Sequence, residues 1–114
     1  MSGKLTTHVL DLTSGRPAAG MTVEFWQLDR MPALLKTVVT NADGRTDQPL
    51  LGPGDMIVST YELIFKVSAY YAARGVASPF LDLVPVRFTI DDPSANYHVP
   101  LLVTPWAYST YRGS

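Results

Sequence analysis

The sequence contains no cysteine. A chain without cysteine has no disulfide, no thiolate ligand for zinc and no cysteine nucleophile, which is typical of a protein from a reducing compartment. It also lacks an apolar run near the roughly 18 residues of a membrane span, and its first residues lack the apolar stretch of a secretory signal. We therefore expect a soluble, cytoplasmic protein with no membrane partner.

An excess of charge of one sign is also missing. Nine Lys and Arg residues are balanced by ten Asp and Glu residues, so the formal net charge is -1. A protein without a basic excess is not attracted to phosphate backbones, so we expect no nucleic-acid partner. The chain of 114 residues, 46% of them hydrophobic, can build one core. We expect a single domain over residues 1–114 that binds a small molecule or another protein.

Turn-forming residues recur at short intervals, which leaves little room for long helices. The runs between them alternate apolar and polar residues and are rich in β-branched and aromatic side chains. Seven such runs are predicted strands: 5–10, 21–28, 34–40, 61–67, 84–90, 97–103 and 107–111. Alternation fails over 68–75, where one short helix ending at Gly75 is predicted. This pattern favours an all-β sandwich of two sheets.

Two local signals concern the connections between strands. The sequence NADG at 41–44 is a strong turn signal and should join strand 34–40 to a following strand or extended segment. Pro100, inside strand 97–103, has no backbone donor. That strand should therefore be an edge, contain a bulge, or direct the missing donor away from its neighbour.

The chain has only two histidines, and both fall within predicted strands. Alternation places His8 and His98 on the less apolar, outward face of their strands. Ser109 and Tyr111 share a face of the last strand and are expected to reach the same outer groove. A histidine in a strand is most often a surface or hydrogen-bonded residue, and Arg45 after a turn is most often solvated. Spacing alone therefore does not define a site.

Motifs of known chemistry are absent from the sequence. It has no GxSxG elbow, no glycine-rich phosphate loop and no HExxH zinc motif. A tetrahedral zinc site normally needs more protein ligands than two histidines. We expect no required metal.

Three segments carry a specific resemblance: LTTHVLDLTSGRPAAGM near the start, NADGRTD in the middle and YHVPLLVTPWAYSTYRGS at the end. Together they resemble the 5-hydroxyisourate hydrolases, the enzymatic branch of the transthyretin family. The resemblance spans the chain, and the terminal YRGS distinguishes these hydrolases from hormone-carrying transthyretins. It implies a transthyretin-like (prealbumin-like) two-sheet β-sandwich of seven to eight strands with one short helix. It also implies a homotetramer with active sites at the dimer–dimer interface, around a solvent channel.

The resemblance further implies the reaction and its residues. The reaction is cofactor-free hydrolysis of 5-hydroxyisourate to 2-oxo-4-hydroxy-4-carboxy-5-ureidoimidazoline in purine breakdown. The histidines of the HVLD and YHVPLL motifs are His8 and His98, and the arginine of the DGR motif is Arg45. The terminal motif supplies Tyr111, Arg112, Gly113 and Ser114, and its tyrosine is the residue most directly associated with substrate.

These residue types suit the hydrolysis of a cyclic amide. A neutral imidazole can take the proton of an attacking water, and we expect His98 to do so while His8 orients water or shuttles the proton, although the two roles can be exchanged. Arg45 suits polarisation of the carbonyl. Tyr111 can donate to the substrate ring or stack on it. Arg112 and Ser114 either hold the chain end in place or contact substrate.

Two other functions fit the same fold. One is a transthyretin-like carrier of a small aromatic ligand, which would have no need of two histidines and an arginine at these positions. The other is a structural or adhesive sandwich, which fold alone would not exclude. Turnover of 5-hydroxyisourate distinguishes the hydrolase from both.

Overall fold

The computed structural model of the chain describes residues 3–114, in which strands form two sheets. In chain order the elements are β1 (Leu5–Asp11), β2 (Arg16–Pro17), β3 (Thr22–Gln27), β4 (Ala33–Val39), β5 (Ser59–Lys66), α1 (Val67–Ala72), β6 (Leu83–Ile90), β7 (Tyr97–Val103) and β8 (Tyr108–Thr110). One four-stranded sheet has the order β2-β1-β7-β8, and the other has the order β4-β3-β5-β6. The predicted two-sheet sandwich with one short helix is confirmed.

The seven strands expected from alternation are all present, with ends within two residues of those predicted. The additional strand, β2, has only two residues and lies between the predicted strands 5–10 and 21–28. Helix α1 begins one residue before the predicted span, and Gly75 follows it with φ 71°. The first two residues of the predicted domain lie outside the described part. Among residues 3–114, no helix has the length and hydropathy to span a membrane.

The core lies between the sheets and follows from period-two alternation. In β1, every second residue from Leu5 to Asp11 is buried, and the residues between them are half-buried. Strand β5 repeats this pattern and contributes Leu63 and Phe65 to the core. Because buried and outward residues alternate, His8 and His98 lie on the outer face of the first sheet, as predicted.

Strand β1 brings distant segments together. On one side it pairs in parallel with β7 along its whole length. On the other side it pairs with β2 near its end, while residues 44–51 run along its first half through the bridges His8–Arg45 and Leu5–Leu51. The NADG turn therefore leads into an extended segment, the second of the two alternatives expected for it.

Pro100 lies in an internal strand, because β7 runs between β1 and β8. Beyond β8, the chain end (residues 111–114, hereafter the tail) pairs again with β7 at His98 and Gly113 in the same register. Between these paired stretches, Pro100 stands opposite Tyr111 without a bridge, and its carbonyl accepts from Thr110 Oγ1 at 2.7 Å. The expected edge was wrong, because β7 is internal; the missing donor falls where the pairing of β7 with the chain end is interrupted.

Candidate active site

A pocket of about 500 Å³ opens on the outer side of the β1–β7 pair. Segments far apart in the sequence line it: the start of β1, the residues after the NADG turn, β7 and the tail. Its polar side chains include those of Lys4, Thr6, Arg45, Asp47, His98 and Ser114. The parallel register of β1 and β7, together with the bridge from β1 to Arg45, explains why they converge.

His98 is held in this pocket by both of its neighbours in the sheet. Thr6, its register partner on β1, places Oγ1 2.9 Å from His98 Nδ1. On the other side, the backbone of His98 exchanges two hydrogen bonds with Gly113: His98 N–H donates to the Gly113 carbonyl at 3.1 Å, and Gly113 N–H donates to the His98 carbonyl at 2.7 Å. With Nδ1 engaged by Thr6, Nε2 is the ring nitrogen left for other chemistry.

His8 lies beside the pocket on β1, opposite Pro100 in the parallel register. The centroids of the His8 and His98 rings are 6.4 Å apart, and the ring planes are inclined by 32°. Arg45 bridges to the backbone of His8. The two imidazoles can therefore act on the same small molecule next to one guanidinium.

The surroundings of both histidines favour the neutral imidazole. Burial lowers the pKa of His98, and the positive charges of Arg45 and His8 lower it further. Burial also lowers the pKa of His8, with a second contribution from Arg45, while a backbone hydrogen bond to Asp43 and the Asp43 charge act in the opposite direction. At neutral pH both rings are therefore predominantly uncharged and able to accept a proton.

The NADG turn places Arg45. The Asn41 side-chain carbonyl accepts from the backbone N–H of Asp43 at 2.9 Å and of Arg45 at 3.2 Å. Gly44 has φ 74°, a conformation that glycine adopts without steric cost, and its carbonyl accepts from Val9 N–H at 2.8 Å. The turn is therefore fixed to β1, and the exposed guanidinium that follows supplies a permanent positive charge to the pocket.

The predicted tail residues do not all reach this pocket within one chain. Ser114 lines it. Tyr111 and Arg112 instead line an opening of about 230 Å³ between β6 and β7, where the Arg112 guanidinium lies 4.5 Å from the centre of the Tyr97 ring. Ser109 lines a third groove, next to Leu102. The structure thus brings His8, Arg45, His98 and Ser114 together and leaves Ser109, Tyr111 and Arg112 apart.

Six lining residues were not among the predicted site residues: Lys4, Thr6, Thr7, Thr46, Asp47 and Pro49. Thr6 carried a usable signal, because it alternates in phase with His8 and so shares the outer face of β1. Lys4 lies outside the strands and follows no pattern that marks it, whereas Thr46 and Asp47 belong to the NADGRTD segment that carried the resemblance.

The residues of the pocket are suited to hydrolysis. A neutral imidazole can deprotonate water, and a fixed cation can stabilise an oxyanion. Across the described residues, no three His, Asp or Glu side chains come together as metal ligands would.

Comparison with known proteins identifies the family. The HIUase/Transthyretin family profile matches residues 5–113. The chain is 52% identical to the 5-hydroxyisourate hydrolase of Halalkalibacterium halodurans over 100% of both chains. It is 44% identical to that of Mus musculus, over 99% of this chain and 97% of the relative.

Solved structures agree with this match. The Klebsiella pneumoniae 5-hydroxyisourate hydrolase has a TM-score of 0.83 at 33% identity, covering 98% of this chain and 99% of that one. An (S)-allantoin synthase has a TM-score of 0.92 at 46% identity over 99% of this chain, which corresponds to 44% of that longer chain. As the three sequence motifs predicted, the chain belongs to the HIUase/Transthyretin family.

Proposed function

We propose that this protein hydrolyses 5-hydroxyisourate to 2-oxo-4-hydroxy-4-carboxy-5-ureidoimidazoline in purine breakdown, in the cytoplasm and without a cofactor. The observation that carries the proposal is that His98 and Arg45 line one pocket while His8 lies beside it, with its ring centroid 6.4 Å from that of His98. The same chain is about half identical, end to end, to relatives that bear the name of this hydrolase.

His98 acts as the general base in this mechanism. Its Nδ1 is engaged by Thr6, so Nε2 takes a proton from water as the water oxygen bonds to the carbonyl carbon of the ring amide. The carbonyl becomes an oxyanion, and the Arg45 guanidinium stabilises its charge. When the oxyanion collapses, the C–N bond of the ring breaks and the leaving nitrogen receives the proton. His8 orients the water or relays the proton, and exchange of the two histidine roles would use the same groups.

Assembly is part of the same proposal. Each site lies at a dimer–dimer interface of a homotetramer, where the chain ends of neighbouring subunits meet around a channel. Ser109, Tyr111 and Arg112, which lie away from the pocket within one chain, contact substrate through this assembly, and Ser114 contacts it directly. A variant that remains folded by circular dichroism but no longer forms tetramers should lose turnover. Full turnover by such a variant would contradict the placement of the active sites at the dimer–dimer interface.

The decisive experiment follows the ultraviolet decay of freshly generated 5-hydroxyisourate. Wild type, His98→Ala, a chain lacking residues 111–114 and the control Thr37→Val, altered on exposed strand β4, are compared with spontaneous decay. Wild type and Thr37→Val should accelerate decay, and the other two should not. If folded, tetrameric wild type leaves the decay unchanged, the proposed hydrolase activity is wrong and a ligand-carrier function is favoured.

A further inference from the structure

Thr6 holds the imidazole that the proposed reaction uses as its base. The two residues face each other across the parallel β1–β7 pair, and their side chains meet on the outer surface at 2.9 Å. Within residues 3–114, Thr6 makes the one side-chain hydrogen bond recorded for the His98 ring. Both residues are half-buried and line the pocket, so their contact borders the place where substrate would bind.

The direction of this hydrogen bond decides what Nε2 can do. A neutral imidazole carries one proton, and a threonine hydroxyl can either donate or accept. If the hydroxyl donates to Nδ1, then Nε2 carries the proton and cannot act as a base. If Nδ1–H donates to the hydroxyl, then Nε2 presents a lone pair to the pocket.

The charges around His98 favour the second arrangement. Two groups whose charge lowers the pKa of His98 are Arg45 and, when protonated, His8, and both are positive. Positive charge attracts a lone pair and repels an N–H dipole, so it favours an unprotonated Nε2. Lys4 adds a further positive charge at the pocket wall, and the one acidic side chain there, Asp47, accepts a hydrogen bond from Asn41 Nδ2 at 3.0 Å.

We infer that Thr6 is a positioning residue: its hydroxyl accepts the Nδ1 proton of His98, which fixes the ring and keeps Nε2 free to take a proton from water. This inference rests on the proposed function for its catalytic consequence. The hydrogen bond and the tautomer can be measured without turnover, so the two ideas can fail separately.

The test compares Thr6→Val, Thr6→Ser and the control Thr37→Val. Valine keeps the β-branched shape that suits a strand but has no hydroxyl, whereas serine keeps the hydroxyl. Nitrogen-15 NMR of labelled histidine, with His98→Ala to assign the signals, reports which ring nitrogen carries the proton. Decay of 5-hydroxyisourate gives kcat and KM.

Wild type should show His98 protonated at Nδ1. Thr6→Val should convert a substantial fraction of His98 to the Nε2-protonated form and lower kcat about tenfold with little change in KM, the loss expected for one hydrogen bond. Thr6→Ser should restore the tautomer and most of kcat, and Thr37→Val should resemble wild type. An Nε2-protonated wild type, or a Thr6→Val protein with unchanged tautomer or unchanged kcat, would overturn the inference. If wild type has no turnover but the tautomer depends on Thr6, the proposed function fails while the hydrogen bond stands.

Discussion

Gly113 lies directly against the imidazole of His98. A β-carbon on Gly113 would come within 3.1 Å of His98 Cβ and 3.2 Å of His98 Cδ2, and the two residues already share a pair of backbone hydrogen bonds. The tail can follow β7 at this distance only because residue 113 has no side chain. The position of the chain end and that of the histidine are therefore coupled.

Gly113→Ala should lower kcat markedly and the free energy of unfolding only slightly. Its β-carbon would approach the ring more closely than ordinary contacts allow, so the ring or the tail must move by a few tenths of an ångström. Catalysis depends steeply on such displacements, and we expect kcat to fall about tenfold. Gly52→Ala is the matched control, because its β-carbon would meet Asp55 Oδ2 at an ordinary 3.4 Å. Kinetics and thermal unfolding of both variants check this, and unchanged kcat in Gly113→Ala would contradict it.

Arg45→Gln should move the pH dependence of kcat/KM to higher pH. Burial, followed by the Arg45 charge, lowers the pKa of both histidines, so the acid limb of kcat/KM in wild type should lie below the ordinary histidine value of about 6.5. Arg45→Gln removes the guanidinium and with it one cause of the lowered pKa values of the two histidines. The acid limb should therefore move to higher pH while the maximal rate falls.

The control for this change is Arg16→Gln, in which an exposed arginine of β2 is replaced. A pH–rate profile and an NMR titration of His8 and His98 in each protein make the comparison. An acid limb that stays in place when Arg45 is neutralised would show that its charge does not act on the base. The same shifts affect stability: below pH about 6.5 the unfolded chain binds protons that the folded histidines resist, so stability should fall on acidification.

Gly44→Ala, in the turn before Arg45, and Gly15→Ala, in the turn after β1, should separate the cost of backbone strain from the cost of a close contact. Both glycines have positive φ, 74° and 71°, so alanine at either position costs about 1–2 kcal/mol of backbone strain. At Gly15 no atom lies within 4 Å of the new β-carbon, whereas at Gly44 it would come within 2.4 Å of the Val9 carbonyl oxygen. Gly44→Ala should therefore be the less stable variant in urea unfolding, and it alone should lose turnover. Equal losses of stability would show that the contact with β1 does not matter.

Much of this arrangement could be predicted from sequence, because alternation is a local property. The outward positions of His8 and His98 follow from period-two burial in β1 and β7. The turn before Arg45 follows from the chemistry of Asn41 and Gly44. These features depend on residues close together in the chain.

Features that depend on pairing between distant strands were harder to predict. The contact of Thr6 with His98 needs the parallel register of β1 and β7, which alternation does not specify. Tyr111 was placed with Ser109 by alternation, but the missing donor of Pro100 interrupts the ladder, and Tyr111 lies outside β8 at a separate opening. A substrate contact by Tyr111 remains a prediction that depends on the assembled tetramer.

A buried carboxylate away from the pocket provides a separate prediction about stability. Asp11, only 3% exposed at the end of β1, accepts hydrogen bonds from Tyr70 Oη at 3.0 Å and Tyr71 Oη at 2.8 Å. Its carboxylate also accepts from the backbone and hydroxyl of Thr13. These bonds connect helix α1 to the first sheet, since both tyrosines belong to α1.

The titration of these groups follows from their contacts. Burial alone would raise the pKa of Asp11, but the hydrogen bonds from Thr13, Tyr71 and Tyr70 outweigh it and lower the pKa. Burial, with the bond to Asp11, raises the pKa of Tyr70 to about 12. The carboxylate is therefore charged and the phenol neutral across the physiological range.

Asp11→Asn should destabilise the fold by about 2 kcal/mol, because hydrogen bonds to a charged acceptor become bonds to a neutral amide that also brings an unpartnered donor into a buried site. Since the folded carboxyl has the lower pKa, its contribution is present above the unfolded value of about 3.9 and is lost as the pH falls through the folded pKa. Urea unfolding at pH 7 and at pH 3 measures this: the difference between wild type and Asp11→Asn should be smaller at pH 3. Asp55→Asn, on an exposed loop, is the control. Turnover below the unfolding temperature should be unchanged in both variants, because Asp11 faces the core side of β1 whereas His8 faces the pocket side. If Asp11→Asn and wild type were equally stable at pH 7, these hydrogen bonds would not anchor helix α1.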